Sequence, residues 1–273
     1  METKALKKQM GAAIAMVLVA AIALAASTYA WFVTNNKVDA TTSTISATSN
    51  AAFMTITNGT TGASRVDTTS IKTNVQTKAL YPATFGEETG ATKGSFMTGY
   101  GTTLTNGALS GNLKLVGTTG SYTDATGNDY ALLQDYNISS KGQNLSGLSI
   151  DKVENATLAE GESASTSELA KALRILVTNS DGTVWAVYGQ KADTQGQDGA
   201  TTAVNEYELK LSSAENNAAV TFGDIEAGKD TAVHVYLYYE GKDAKVTTQN
   251  LQNGKLTATN KVTVYFTATA DNK

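Results

Sequence analysis

Two stretches near the C-terminal end alternate apolar and polar residues with a period of two. In residues 231–239, Val233, Val235, Leu237 and Tyr239 fall on one side, and His234, Tyr236 and Tyr238 on the other. In 261–269, Val262, Val264, Phe266 and Ala268 share the inward side. Each pattern predicts a strand. Two further apolar runs, 173–178 and 183–188, flank Asn179, Ser180, Asp181 and Gly182. An Asp-Gly pair supplies the positive φ angles of a tight turn, so these runs predict a hairpin. Weaker strands are expected at 113–116, 131–138, 145–153, 207–211 and 219–222. Ser165 and Glu168 have the spacing of a capping box and predict one or two helical turns before the strand at Leu173. The polar stretches 86–107, 117–128 and 191–203 read as surface loops or flexible inserts. Short strands, turn-rich spacers and the lack of a clear internal repeat predict an all-β fold, a jelly-roll-like β-sandwich.

The N-terminal end has a different pattern. Lys4, Lys7 and Lys8 precede an uncharged apolar run from Gly11 to Ala26, and small residues follow it. A positive end, an apolar core and a small-residue exit describe a secretory signal peptide. The run is longer than the usual signal core of about 7–15 residues and shorter than the roughly 20 that span a bilayer as a helix. An uncleaved anchor with its lysines in the cytoplasm is the competing reading. Small residues at 25–30 favour cleavage, after Ala25 or after Ala30. Residues 1–30 are therefore assigned to a hydrophobic leader helix. The rest is expected at the cell surface or outside the cell, with the Sec machinery and a signal peptidase as partners and membrane contact only through the leader.

Composition sharpens this picture. The chain holds no cysteine, which excludes disulfides, thiolate metal sites and cysteine nucleophiles. Charged residues make up 17% and the net charge is -4, with no basic patch, so nucleic acid is not an expected partner. After the leader, roughly 240 residues remain, enough for one β domain with its own core.

The candidate chemistry is thin. His234 is the single histidine, so a His-x-x-x-His zinc site cannot form within one chain. It sits in mid-strand between two valines, where a histidine is usually a surface or packing residue. No Gly-x-Ser-x-Gly elbow and no P-loop occurs. Gly99, Tyr100 and Gly101 lack the βαβ context of a dinucleotide site. Asp124 to Asp129 has some of the spacing of a calcium loop but lacks its third-position ligand and terminal glutamate, so a turn is expected. Glu160, Glu162 and Glu168 suit a helix N-terminus. Tyr236, Tyr238, Tyr239 and Tyr265 are expected to be packing residues in paired strands. No catalytic residue, metal ligand or cofactor is assigned, and the chain is read as a non-enzyme. A secreted two-carboxylate hydrolase is a less favoured competing reading.

Ala26 to Ala30, followed by Trp31, Phe32 and the segment to Thr41, resembles the leader junction of the TasA/camelysin family of exported bacterial proteins. Residues 260–269 also resemble that family's last strand. The resemblance covers about the first 50 and the last 15 residues. It implies a jelly-roll sandwich, cleavage between Ala30 and Trp31 by a dedicated signal peptidase, and assembly into extracellular biofilm-matrix fibres. The peptidase activity associated with camelysin is not carried over, because zinc ligands are lacking.

Residues 31–57 then become a candidate donor strand and 58–273 the sandwich domain with its long polar loops. The 31–57 segment is rich in Thr, Ser and Ala, so it adds little to a core of its own. It suits main-chain pairing with the open sheet of a second copy, with Val38, Ile45 and Ala47 as the assembly residues. A head-to-tail contact of this kind grows a filament. Two points stay open. Val38 and Ile45 fall on opposite faces unless a bulge intervenes. The segment could equally add a strand to its own domain, which would leave a monomeric anchored adhesin.

Overall fold

The computed structural model describes residues 38–49, 54–59, 70–72, 76–86, 93–98, 104–105, 108–109, 114–117, 120–155, 171–191, 206–243, 246 and 259–270. The leader, Ala30 and Trp31 lie outside them, as do the capping box at Ser165 and Glu168, the glutamates at 160 and 162, and most of the polar stretch 191–203. Among the described residues no helix is long and apolar enough to cross a membrane.

The chain is all-β. Its strands in order are β1 (Val38–Ser49), β2 (Met54–Asn58), β3 (Ser70–Lys72), β4 (Gln76–Leu80), β5 (Thr84–Phe85), β6 (Phe96–Thr98), β7 (Leu104–Thr105), β8 (Ala108–Leu109) and β9 (Lys114–Gly117). A short helix, α1 (Thr123–Gly127), follows. The remainder are β10 (Leu132–Ser140), β11 (Leu145–Asn155), β12 (Leu173–Asn179), β13 (Trp185–Gln190), β14 (Glu206–Ser212), β15 (Asp230–Tyr239) and β16 (Thr259–Ala270). Eleven strands form one sheet in the order β2-β10-β15-β12-β13-β14-β11-β16-β1-β3, with β4 also on β1. The sheet curls until β2, at one end, lies against β1 and β3 at the other.

Period-two alternation explains what the curled sheet encloses. From β15, Val233, Val235, Leu237 and Tyr239 point inward and are buried. Val262, Val264 and Phe266 of β16 join them, with Ile175 and Val177 of β12, Tyr136 and Ile138 of β10, and Met54 and Ile56 of β2. Each such side chain contributes about 1.5–3 kcal/mol by leaving water.

The outward side of the middle strands is also covered. Leu176, Trp185, Val187, Tyr236 and Tyr238 pack under a three-stranded sheet, β5-β6-β9, together with α1. Phe85 and Phe96 are the fully buried phenylalanines of that second core. Its rings meet edge to face, Phe85 on Trp185 at 5.1 Å and Phe96 on Tyr238 at 5.2 Å. Strands buried on both faces read as continuous apolar runs, which is why Ile175, Leu176 and Val177 are apolar in succession rather than alternating.

The expected strands at 173–178, 231–239 and 261–269 are present, each extended by a residue or more. Three expectations need correction. The stretch 86–107 is not simply a surface loop, because β6 within it is buried and Phe96 is fully so. Residues 219–222 form no strand. Phe222 is buried, and its N–H donates to the Leu148 carbonyl at 2.7 Å, but positive φ at Gly147 and Gly223 stops a regular ladder. Residues 124–129 are largely helical rather than a simple turn, with the Asn128 N–H donating to the Asp124 carbonyl.

Candidate functional site

The hairpin of β12 and β13 turns through Ser180 to Thr183. The Asp181 carboxylate accepts from the Thr183 N–H at 3.1 Å and from its hydroxyl at 2.6 Å. Those bonds hold the Asp181 carboxyl below the usual carboxylate range. Gly182 has φ +70° and its N–H donates to the Asn179 carbonyl. A Cβ on Gly182 would lie 2.7 Å from the Gly120 Cα, so both residues must be glycine-sized for the turn to sit against the segment that leads into α1. Tyr122 fastens the same junction. Its hydroxyl donates towards the Gly94 carbonyl at 2.9 Å and the Gly182 carbonyl at 3.3 Å, and burial pushes its pKa up to about 12.

Where the turn, α1, β10 and β15 meet, they leave a cavity of about 310 Å³. Its walls include Ser121, Thr123, Leu133, Asp135, His234 and Tyr236. Strand register places Asp135 of β10 directly opposite His234 of β15. His234 Nδ1 lies 2.5 Å from Asp135 Oδ1, and Nε2 lies 3.3 Å from the Ser180 carbonyl oxygen. Both partners are acceptors, so the ring donates on both sides, an arrangement that suits the imidazolium. The hydrogen bond to Asp135 raises the pKa of His234 against the opposing effect of burial. In this geometry Nε2 is engaged as a donor rather than placed to take a proton from a hydroxyl.

His234 is thus not an isolated packing residue. Its partner Asp135 was not singled out in the sequence, where the only signal was that both residues occupy mid-strand positions on the outward side. Tyr238 and Tyr239 are packing residues, as expected, and Tyr236 packs on Tyr122 at 5.4 Å. Tyr265 differs. It is half-buried, donates its hydroxyl to Glu154 at 2.6 Å, and carries the Lys152 ammonium 4.2 Å from its ring centre. Among the described residues no cluster of three or more metal-ligating side chains occurs.

The residues expected to act in assembly lie elsewhere. β1 pairs with β16 in parallel, which places Ile45 beside Val262 and Ala47 beside Val264. Val38 lies beside Leu80 of β4. The β1–β4 register slips between Ala40 and Ser43, so β1 carries one extra residue there. Among the described residues every other ladder of the large sheet is antiparallel.

Comparison with known protein families, with curated proteins and with solved structures finds no match to this chain.

Proposed function

We propose that this protein is an extracellular structural subunit of a bacterial surface or biofilm-matrix filament, and that subunits join by exchanging β1. The observation that carries the reading is the parallel ladder between β1, near the chain's beginning, and β16, near its end. Antiparallel neighbours are commonly joined by a short turn, but no short turn can join a parallel pair. β1 therefore enters the sheet, with β16 on one side and β3 and β4 on the other, without a local connection to β16. A β1 from a second copy could make the same main-chain bonds in the same register, and exchange of an identical element is a low-cost route to assembly.

The resemblance of residues 26–41 and 260–269 to the TasA/camelysin family supports the same reading. So does the curled sheet, which suits a jelly-roll-like sandwich whose closing strand is supplied in trans. On this reading the leader directs export through the Sec machinery, a signal peptidase cuts between Ala30 and Trp31, and the chain needs no cofactor and performs no catalysis.

The test uses the absence of cysteine. Ser46 and Thr263 are register partners across the ladder, and directly paired Cα atoms fall within disulfide range. Ser46→Cys with Thr263→Cys, secreted from the full-length chain and oxidised, should give a ladder of covalent multimers on a denaturing gel. Electron microscopy of the same material should show filaments. Only intramolecularly closed monomers, with no filaments, would mean that β1 belongs to its own domain. The reading as a monomeric anchored surface protein, favoured by the cavity beside His234, would then replace this one.

A further inference from the structure

The cavity beside His234 has the features of a ligand site. Tyr236 is 5% exposed and its ring is wedged between Tyr122 and Phe96. Yet among the described residues nothing hydrogen-bonds its hydroxyl, which lies in a cavity-lining residue and is not sealed in the core. The ring is buried, while the residue lines the cavity, where a ligand can reach its hydroxyl. Asp135 spends Oδ1 on His234, and no described residue donates to Oδ2. Ser121 and Thr123 add exposed hydroxyls at the rim.

These groups define the ligand chemistry. The Tyr236 hydroxyl both donates and accepts, Asp135 Oδ2 accepts, and the serine and threonine hydroxyls do either. The walls between them are the tyrosine rings and Leu133. When His234 is protonated, its charge and that of Asp135 cancel within the pair. A compact neutral molecule with several hydroxyls and an apolar ring face fits this set, and a cavity of about 310 Å³ can hold one such ring.

We infer that this cavity is a binding site for a neutral sugar residue, with Tyr236, Asp135 and Ser121 as its hydrogen-bonding groups. None of its lining residues belongs to β1 or β16, and it does not rest on strand exchange. It would let a subunit hold polysaccharide whether it is polymerised or monomeric.

Saturation-transfer NMR and equilibrium dialysis on the full-length protein test this, because neither requires a small or monomeric sample. The probes are the methyl β-glycosides of glucose, galactose and N-acetylglucosamine, with methylammonium chloride and sodium sulfate as charged competitors. At least one glycoside should bind saturably. Tyr236→Phe removes one oxygen and leaves the packing surface, and it should weaken that binding by about tenfold without moving the melting temperature. Ser121→Val narrows the rim at an exposed position and should also weaken it. Should Tyr236→Phe fail to fold, the Ser121→Val result decides alone. No saturable binding of any glycoside overturns the assignment. So does binding equally strong in the variants, or competition by methylammonium or sulfate, which would mark an ion site.

Discussion

Arg174 points towards the second core's side of β12 but does not join it. It is 1% exposed, and its guanidinium donates to Asp243 Oδ2 at 3.1 Å and to the carbonyls of Lys171 and Leu173. Asp243 is equally buried, just beyond β15, where its N–H donates to the Glu240 carbonyl. The pair fastens the chain after β15 to the start of β12. A buried pair adds little over an apolar substitute, but removing one partner strands the other. Asp243→Ala should therefore cost about 3–5 kcal/mol in a denaturant melt. Lys229→Ala breaks an exposed pair with Glu226 and should stay within about 0.5 kcal/mol of the parent.

His234 makes a prediction of opposite character at the same scale, because its bond to Asp135 depends on a proton. Its folded-state pKa is raised, chiefly by the Asp135 hydrogen bond. The stability this contributes is fully present below the unfolded value near 6.5 and is lost as pH rises through the folded value. The groups facing the ring are Asp135 from β10, Tyr236 on its own strand, Tyr122 from the segment before α1, and the Asp181 turn. Only Asp135 bonds to it through a charged group. Asp135→Asn should lower the His234 pKa, read directly from the one imidazole signal in the spectrum. The loss of melting temperature on raising the pH, taken as the difference from His234→Gln, should shrink with it.

At the scale of elements, legibility tracked how far a strand's two faces differ in polarity, and how many of its residues lie in one run. β15 and β16 were readable because Val233, Val235 and Leu237, and Val262, Val264 and Phe266, face one core in strict alternation. The β12–β13 hairpin was readable from Asp181 and Gly182 between two runs of strand-forming residues. β6 was not, since Phe96 and Met97 are two apolar residues inside a polar stretch, and their burial comes from Phe85, Tyr122 and Tyr238 contributed by distant segments. No window of sequence contains that cluster. Phe222 misled for the converse reason, because its burial does not come with a ladder. The cavity stayed hidden because its key pair, Asp135 and His234, is made by strand register between β10 and β15. The sequence left open whether β1 carries a bulge, and the irregularity between Ala40 and Ser43 is seen only in the ladder.

At the scale of the whole molecule, two cores share one wall. β12, β13 and β15 give one face to the curled sheet's interior and the other to the small sheet of β5, β6 and β9 with α1. The interior core draws on strands from both halves of the chain. The second core is held mainly by aromatic contacts, with Phe96 in edge contact with Phe85, Tyr122, Tyr236 and Tyr238. Its covering strands are only two to four residues long, so their own ladders contribute little. Stability should therefore be uneven, with the small sheet opening at lower free energy than the curled one. Phe96→Ala isolates the difference, because it removes the ring at the centre of the second core at a cost of about 3–5 kcal/mol and touches nothing in the first. Hydrogen exchange in this variant should accelerate at the amides of β5, β6 and β9, while β15 and β16 keep their protection and the far-ultraviolet β signal holds. The cavity wall from Gly120 to Tyr122 rests on the same cluster, so any sugar bound there should be lost in step. Uniform acceleration across β15 and β16 would instead make the two cores one cooperative unit. The wall they share would then transmit any change at the His234 cavity into the sheet that β1 completes.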